Sequence, residues 1–112
     1  MLTINIANDF TDTPGLRYKT KWDNYSGEEF REELLEPKFL KAKENNEKLM
    51  IDFDGGYGYL ISFLEEAFGG LARIYGRDSV LETLEFKSDE EEALITKVKS
   101  YIINVNNKKW YL

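Results

Sequence analysis

The sequence predicts one α/β (α+β) domain spanning residues 1–112, a mixed β-sheet of about four strands with about three helices in the order β, β, α, β, α, β, α. Three observations lead there. Residues 48–76 read KLMIDFDGGYGYLISFLEEAFGGLARIYG, an apolar run that stops at Gly55-Gly56 and yields, after an aromatic turn, to helical periodicity. Three Ser-x-x-Glu capping boxes, at Ser26, Ser62 and Ser88, mark helix starts. Helical patterns separate the later strands, which calls for parallel pairs joined by crossovers.

Taken in order, Leu2, Ile4 and Ile6 alternate with Thr3 and Asn5 as a short half-buried strand. Residues 8–15 are turn-rich, and a second alternation of Leu16, Tyr18, Thr20 and Trp22 against Arg17, Lys19 and Lys21 predicts a neighbouring strand. Ser26 opens the first long helix, with Tyr25 placed to staple onto Phe30 and Pro37 to kink or restart the helix. Residues 49–53 form the central strand: Leu49, Ile51 and Phe53 share one face, and Asp52 and Asp54 point together from the other. The next helix is expected to begin at Ser62 and to bury Phe63, Ala67, Leu71 and Ile74, with Gly69 and Gly70 inside it wherever its backbone approaches a neighbour and Gly76 ending it. Residues 80–86 read as a strand, and a last helix from Ser88 buries Leu94, Val98, Tyr101 and Ile102. Trp110 and Tyr111 then dock on the body or offer a sticky surface.

Composition narrows function. With 112 residues, no cysteine and no histidine, the chain has neither thiolate ligands nor the usual general base. Its 15 Lys and Arg against 21 Asp and Glu give a net charge of −6, which repels nucleic-acid backbones. No stretch has the length of a membrane span and the N-terminus lacks a signal-peptide pattern, so a cytoplasmic location is expected.

The chemistry-bearing residues cluster after the central strand. Asp52 and Asp54 are read as loop-supporting acids that accept from backbone amides, rather than as metal ligands. The glycine-rich 55–59 loop lacks the spacing of a phosphate cradle and reads as an aromatic recognition loop anchored by Tyr57 and Tyr59. Ser62 reads first as a helix cap, and its functional reading, which the cap does not exclude, is a phosphoacceptor or partner contact. Glu65 is its capping partner, and Glu66 a solvated or interface acid. Asp52-Phe53-Asp54-Gly55 also imitates the nucleophile motif of haloacid-dehalogenase-type phosphatases, although only 57 residues follow Gly55.

Residues Ser26-Gly27-Glu28-Glu29-Phe30-Arg31, Ile51-Asp52-Phe53-Asp54-Gly55 and the run from Ser62 through Leu71 (SFLEEAFGGL) together resemble the prokaryotic STAS-like family, small relatives of the STAS domains of sulphate transporters and anti-sigma-factor antagonists. In the antagonists a serine at the helix start is phosphorylated by a histidine-kinase-like ATPase. This chain departs from that pattern: Ile61 stands at the phosphoacceptor position, and the second hydroxyl survives as Ser62. The resemblance implies a non-enzymatic regulatory module that binds a protein partner, a histidine-kinase-like ATPase, through residues 55–66, with Tyr57, Tyr59, Glu65 and Glu66 on the partner-binding surface and no cofactor or metal. The alternatives are a small Asp-dependent phosphotransfer or hydrolase protein using Asp52 and Asp54, and a ligand-sensing domain. A homo-oligomer stays open.

Overall fold

The computed structural model describes residues 1–21 and 24–105. Among these residues the chain forms three strands and five helices: β1 (Leu2–Asn5), α1 (Ile6–Asp9), α2 (27–44), β2 (Leu49–Asp52), α3 (61–75), α4 (Arg77–Thr83), β3 (Leu84–Lys87) and α5 (Ala93–Ile103). The sheet runs β1-β2-β3 and both pairings are parallel, so β2 is central and the expected mixed sheet is a parallel one. The register puts Leu2, Leu49 and Leu84 in one row and Ile4, Ile51 and Phe86 in another on the same face. That face meets the core, joined by Phe30, Phe39, Phe63, Phe68 and Leu71 from the helices. The opposite face carries Thr3, Asn5, Asp52, Glu85 and Lys87, polar apart from Met50.

The second expected strand is absent from residues 16–21; Trp22, at its end, lies outside the described residues. Backbone bonding explains the difference. The Gly27 and Glu28 amides donate to the Leu16 and Arg17 carbonyls at 2.8 and 2.9 Å, so the segment spends its acceptors on the start of α2 rather than on a sheet neighbour. Residues 80–83, expected as strand, are the end of α4. Their upstream spacing decides it: Val80 and Thr83 are buried one helical turn apart, and period-two alternation survives only over the four residues of β3.

Ser26 caps α2 by accepting from the Glu29 amide at 3.0 Å. The expected Tyr25–Phe30 staple is relayed, since Tyr25 meets the Phe10 ring at 5.3 Å and Phe10 meets Phe30 at 5.4 Å. Pro37 does not break α2. The five residues Arg31–Leu35 form a π turn, in which the Glu36 amide donates to the Arg31 carbonyl, and the regular helix resumes at Glu36–Glu44 with the proline at its start, where a missing amide costs least. A second π turn, Glu65–Gly69, interrupts α3, and the two pack against each other. Gly27 brings these helices together, for a Cβ there would lie 2.5 Å from the Phe63 carbonyl oxygen.

Three further expectations are corrected. α3 begins at Ile61, with Leu60 at its cap position two residues before the expected cap and no side chain bonding its first amides, so Ser62 is not a cap. Ser88 does not cap α5: its hydroxyl donates to the Glu91 carbonyl at 2.7 Å, and the helix starts later, at Ala93. Ile74, expected inside, is 54% exposed. Trp110 and Tyr111 lie outside the described residues. No described helix is long and apolar enough to cross a membrane.

Candidate functional site

The C-terminal end of β2 runs into a loop whose shape is set by two carboxylates. Asp52 accepts from the Asp54 amide at 3.0 Å. Asp54 accepts from the Glu90 and Asp89 amides at 3.0 and 3.1 Å and from the Lys87 ammonium at 2.9 Å, tying this loop to the one after β3. The Glu90 amide and the Lys87 ammonium hold the Asp54 carboxyl below the usual carboxylate range, while Asp54 holds the Lys87 ammonium above its ordinary value. Glu90 returns a contact by accepting from the Gly55 amide at 2.8 Å. Gly55 and Gly58 have φ of 97° and 128°, a region that disfavours any side chain, and this turn throws Tyr57 outward.

Tyr57 is 85% exposed, although its amide is fixed by the Asp12 carbonyl at 3.0 Å. It stands between two recesses. One, of about 180 Å³, is lined by Asp54, Tyr59, Ser88, Glu90 and Glu91; the other, of about 430 Å³, by Thr13, Pro14, Tyr59 and Leu60. Tyr59 turns inward: its ring packs edge-on against Phe53 at 5.5 Å and its hydroxyl donates to the Phe53 carbonyl at 2.9 Å. Burial, with the nearby Asp52 and Asp54 charges, pushes that hydroxyl's pKa well above the usual tyrosine range. Tyr59, half-buried, thus supports the loop from within while lining both recesses. The exposed apolar residues beside Tyr57 are Leu60 at 48% and Ile61 at 66%, inside the expected 55–66 segment but not among the side chains expected to contact a partner, with Ser62 half-buried next to them. Ile61 had a readable signal, an apolar residue at the first position of a helix with no staple partner in the pattern.

Glu65 and Glu66, expected on the partner-facing surface, lie in the interior at 1% and 6% exposure. Three arginines meet them there, Arg17 and Arg31 from far upstream and Arg73 from α3 itself. Arg17 reaches Glu65 at 2.5 Å and Glu66 at 3.5 Å, Arg73 reaches Glu65 at 2.7 Å, and Arg31 reaches Glu66 at 3.0 Å. Glu36 extends the cluster, 3.6 Å from Arg31 and accepting from the Tyr75 hydroxyl at 2.7 Å. Burial alone would raise the Glu65 carboxyl; the hydrogen bonds from Arg73 and Arg17 outweigh it and hold the group below the ordinary glutamate value.

The paired glycines of α3 make room for this cluster. A Cβ on Gly69 would sit 2.5 Å from a Glu65 carboxylate oxygen, and one on Gly70 would sit 2.8 Å from Arg31 Nε. That nitrogen is buried without a hydrogen-bond partner. A legible hint existed in the sequence, because two adjacent acids on a helix apolar over most of its girth need cations, and Arg17, Arg31 and Arg73 supply them.

The arrangement offers an exposed apolar surface at residues 57–61 on a rigid ionic footing. Among the described residues no three acidic side chains converge where a metal ion could sit. The oxygens of Asp54 are engaged by amides and an ammonium, which leaves it a structural acceptor in this geometry.

Neither a curated protein nor a solved structure gives a significant match to the chain. A family profile described as a STAS-like domain of unknown function matches residues 26–93, from the Ser26 cap of α2 through β2, the 53–60 loop, α3 and β3 to the start of α5. With most of its length inside that match, the chain belongs to the STAS-like domain family.

Proposed function

We propose that this protein is a non-enzymatic regulatory module that binds a protein partner through Tyr57, Leu60 and Ile61 together with the Ser62 edge of α3. The observation that carries the reading is the exposure of three large apolar side chains within five residues at a loop held rigid by Asp54, Glu90 and the Asp12 carbonyl. Leaving each such side chain in water forgoes about 1.5–3 kcal/mol of burial, and contact with a partner restores it. Aromatic and aliphatic residues on a stiff loop make efficient anchors, because little conformational entropy is lost on docking. The surrounding carboxylates, Asp12, Glu90 and Glu91, favour a partner whose pocket has a basic rim. The coarse likeness to anti-sigma-factor antagonists makes a histidine-kinase-like ATPase the partner class to try first.

Ile61→Asp tests the surface. Asp in the first turn of a helix is favourable by roughly 0.3–1 kcal/mol, so the variant should stay folded. A partner captured from the host by the wild-type protein and then purified should bind Ile61→Asp at least tenfold more weakly, read by titration calorimetry. Equal affinity would remove residues 57–61 from the interface. A captured partner that is not an ATPase would keep the surface and discard the analogy.

A further inference from the structure

Residues 11–19 have no regular secondary structure, yet both ends of this strap are fixed. At one end the Asp12 carbonyl accepts from the Tyr57 amide at 3.0 Å, and Thr13 and Pro14 line the recess beside Tyr57 and Leu60. At the other, Arg17 lies on the buried Glu65 and Glu66 carboxylates at 2.5 and 3.5 Å. Between them Gly15 passes so close to the 24–25 backbone that a Cβ would stand 2.8 Å from the Asn24 carbonyl oxygen, and its amide donates to the Tyr25 carbonyl at 2.9 Å. The carboxylates that receive Arg17 sit on α3 about one turn beyond Ile61 and Ser62.

We infer that the strap is a latch that sets the exposed surface: Arg17, seated on Glu65 and Glu66, holds Asp12 under the Tyr57 amide and so fixes where Tyr57 stands relative to Ile61. This rests on the reading of residues 57–61 as a recognition surface and adds a means of regulating it. Whatever displaces the Arg17 guanidinium from the carboxylates loosens the 11–15 part of the strap and with it the loop, while the Leu16 and Arg17 carbonyls stay on the Gly27 and Glu28 amides and α3 stays folded, because Glu65 keeps Arg73 and Glu66 keeps Arg31. The device is economical in structure. One ion cluster packs α2 on α3 and also positions a loop.

Arg73 shares Glu65 with Arg17 but comes from α3 itself, so the two arginines separate the latch from general loss of charge pairing. The test is amide hydrogen exchange on the whole protein without a partner, resolved by residue. Arg17→Gln should speed exchange of the Gly15 and Tyr57 amides at least tenfold while the Phe53 amide, bonded to the Lys87 carbonyl, stays within twofold of wild type; Arg73→Gln should leave Tyr57 within twofold. Arg17→Lys, which keeps the charge, should restore part of the protection. The latch is overturned if Tyr57 is unmoved in Arg17→Gln, if all amides accelerate together, or if Arg73→Gln acts as strongly. None of these outcomes depends on partner binding, so a failure of Ile61→Asp to weaken a complex would leave the exchange result standing.

Discussion

Glu65→Ala should lower stability by about 3–5 kcal/mol, the cost of leaving buried charge uncompensated when one member of a desolvated pair is removed. The loss is large because Glu65 is 1% exposed and answers two guanidinium groups, Arg17 and Arg73, from different parts of the chain. A domain of this size has roughly 5–15 kcal/mol in all, so the variant should unfold at a much lower urea concentration, followed by circular dichroism. Arg73→Ala should cost distinctly less, since Arg73 is partly exposed and water can take its place, and Glu65 would keep Arg17. The dependence on pH has a definite sign. The folded Glu65 carboxyl lies below its unfolded value, so its contribution is fully present above the unfolded value near 4.3 and disappears as pH falls through the lower folded one. Wild-type stability should therefore fall in acid more steeply than that of Glu65→Gln.

Gly27→Ala should destabilise by about 3 kcal/mol, reversing the gain of roughly 1 kcal/mol that alanine ordinarily brings to a helix. The added methyl would meet the Phe63 carbonyl oxygen at 2.5 Å and the Phe63 Cα at 3.0 Å, backbone atoms of α3 that no rotamer change can move. Relief requires the starts of α2 and α3 to separate, which opens the ring contacts of Phe30 with Phe63 at 5.7 Å and of Phe10 with both. Thermal unfolding by calorimetry gives the size. A rise in melting temperature would mean that the helices do not approach as closely as described.

The central strand was legible because its signal is local: Leu49 and Ile51 alternate, and Gly55 stops them. The same holds for the Ser26 cap, where hydroxyl and amide lie three residues apart. Strand status at residues 16–21 was misread because alternation describes side chains, whereas the carbonyls of Leu16 and Arg17 were already committed to α2. Ser62 does not cap because Ile61 begins the helix unaided, moving the cap position two residues back to Leu60. At the candidate site the exposed turn could be anticipated from Gly55, Gly58 and Tyr57, although its fixing by Glu90 and the Asp12 carbonyl could not. The burial of Glu65 and Glu66 could not be placed in the same way. It depends on Arg17 and Arg31 arriving from 48 and 35 residues upstream, and on the packing of the π turn that carries both acids against the one that begins at Arg31. Long-range ion pairing leaves little trace in a single sequence beyond the oddity of acids on an apolar helix.

The acids beside the exposed loop are an internal footing, which under the proposed function leaves recognition to Tyr57, Leu60 and Ile61. The most direct test is the titration of the Glu65 side-chain carboxyl carbon by NMR in the intact protein. Paired with Arg17 and Arg73, it should titrate with a midpoint below the ordinary glutamate value of about 4.3, together with the acid unfolding it helps to cause. A Glu65 carboxyl that titrates freely at or above that value in the folded protein would place it in solvent and contradict the buried footing.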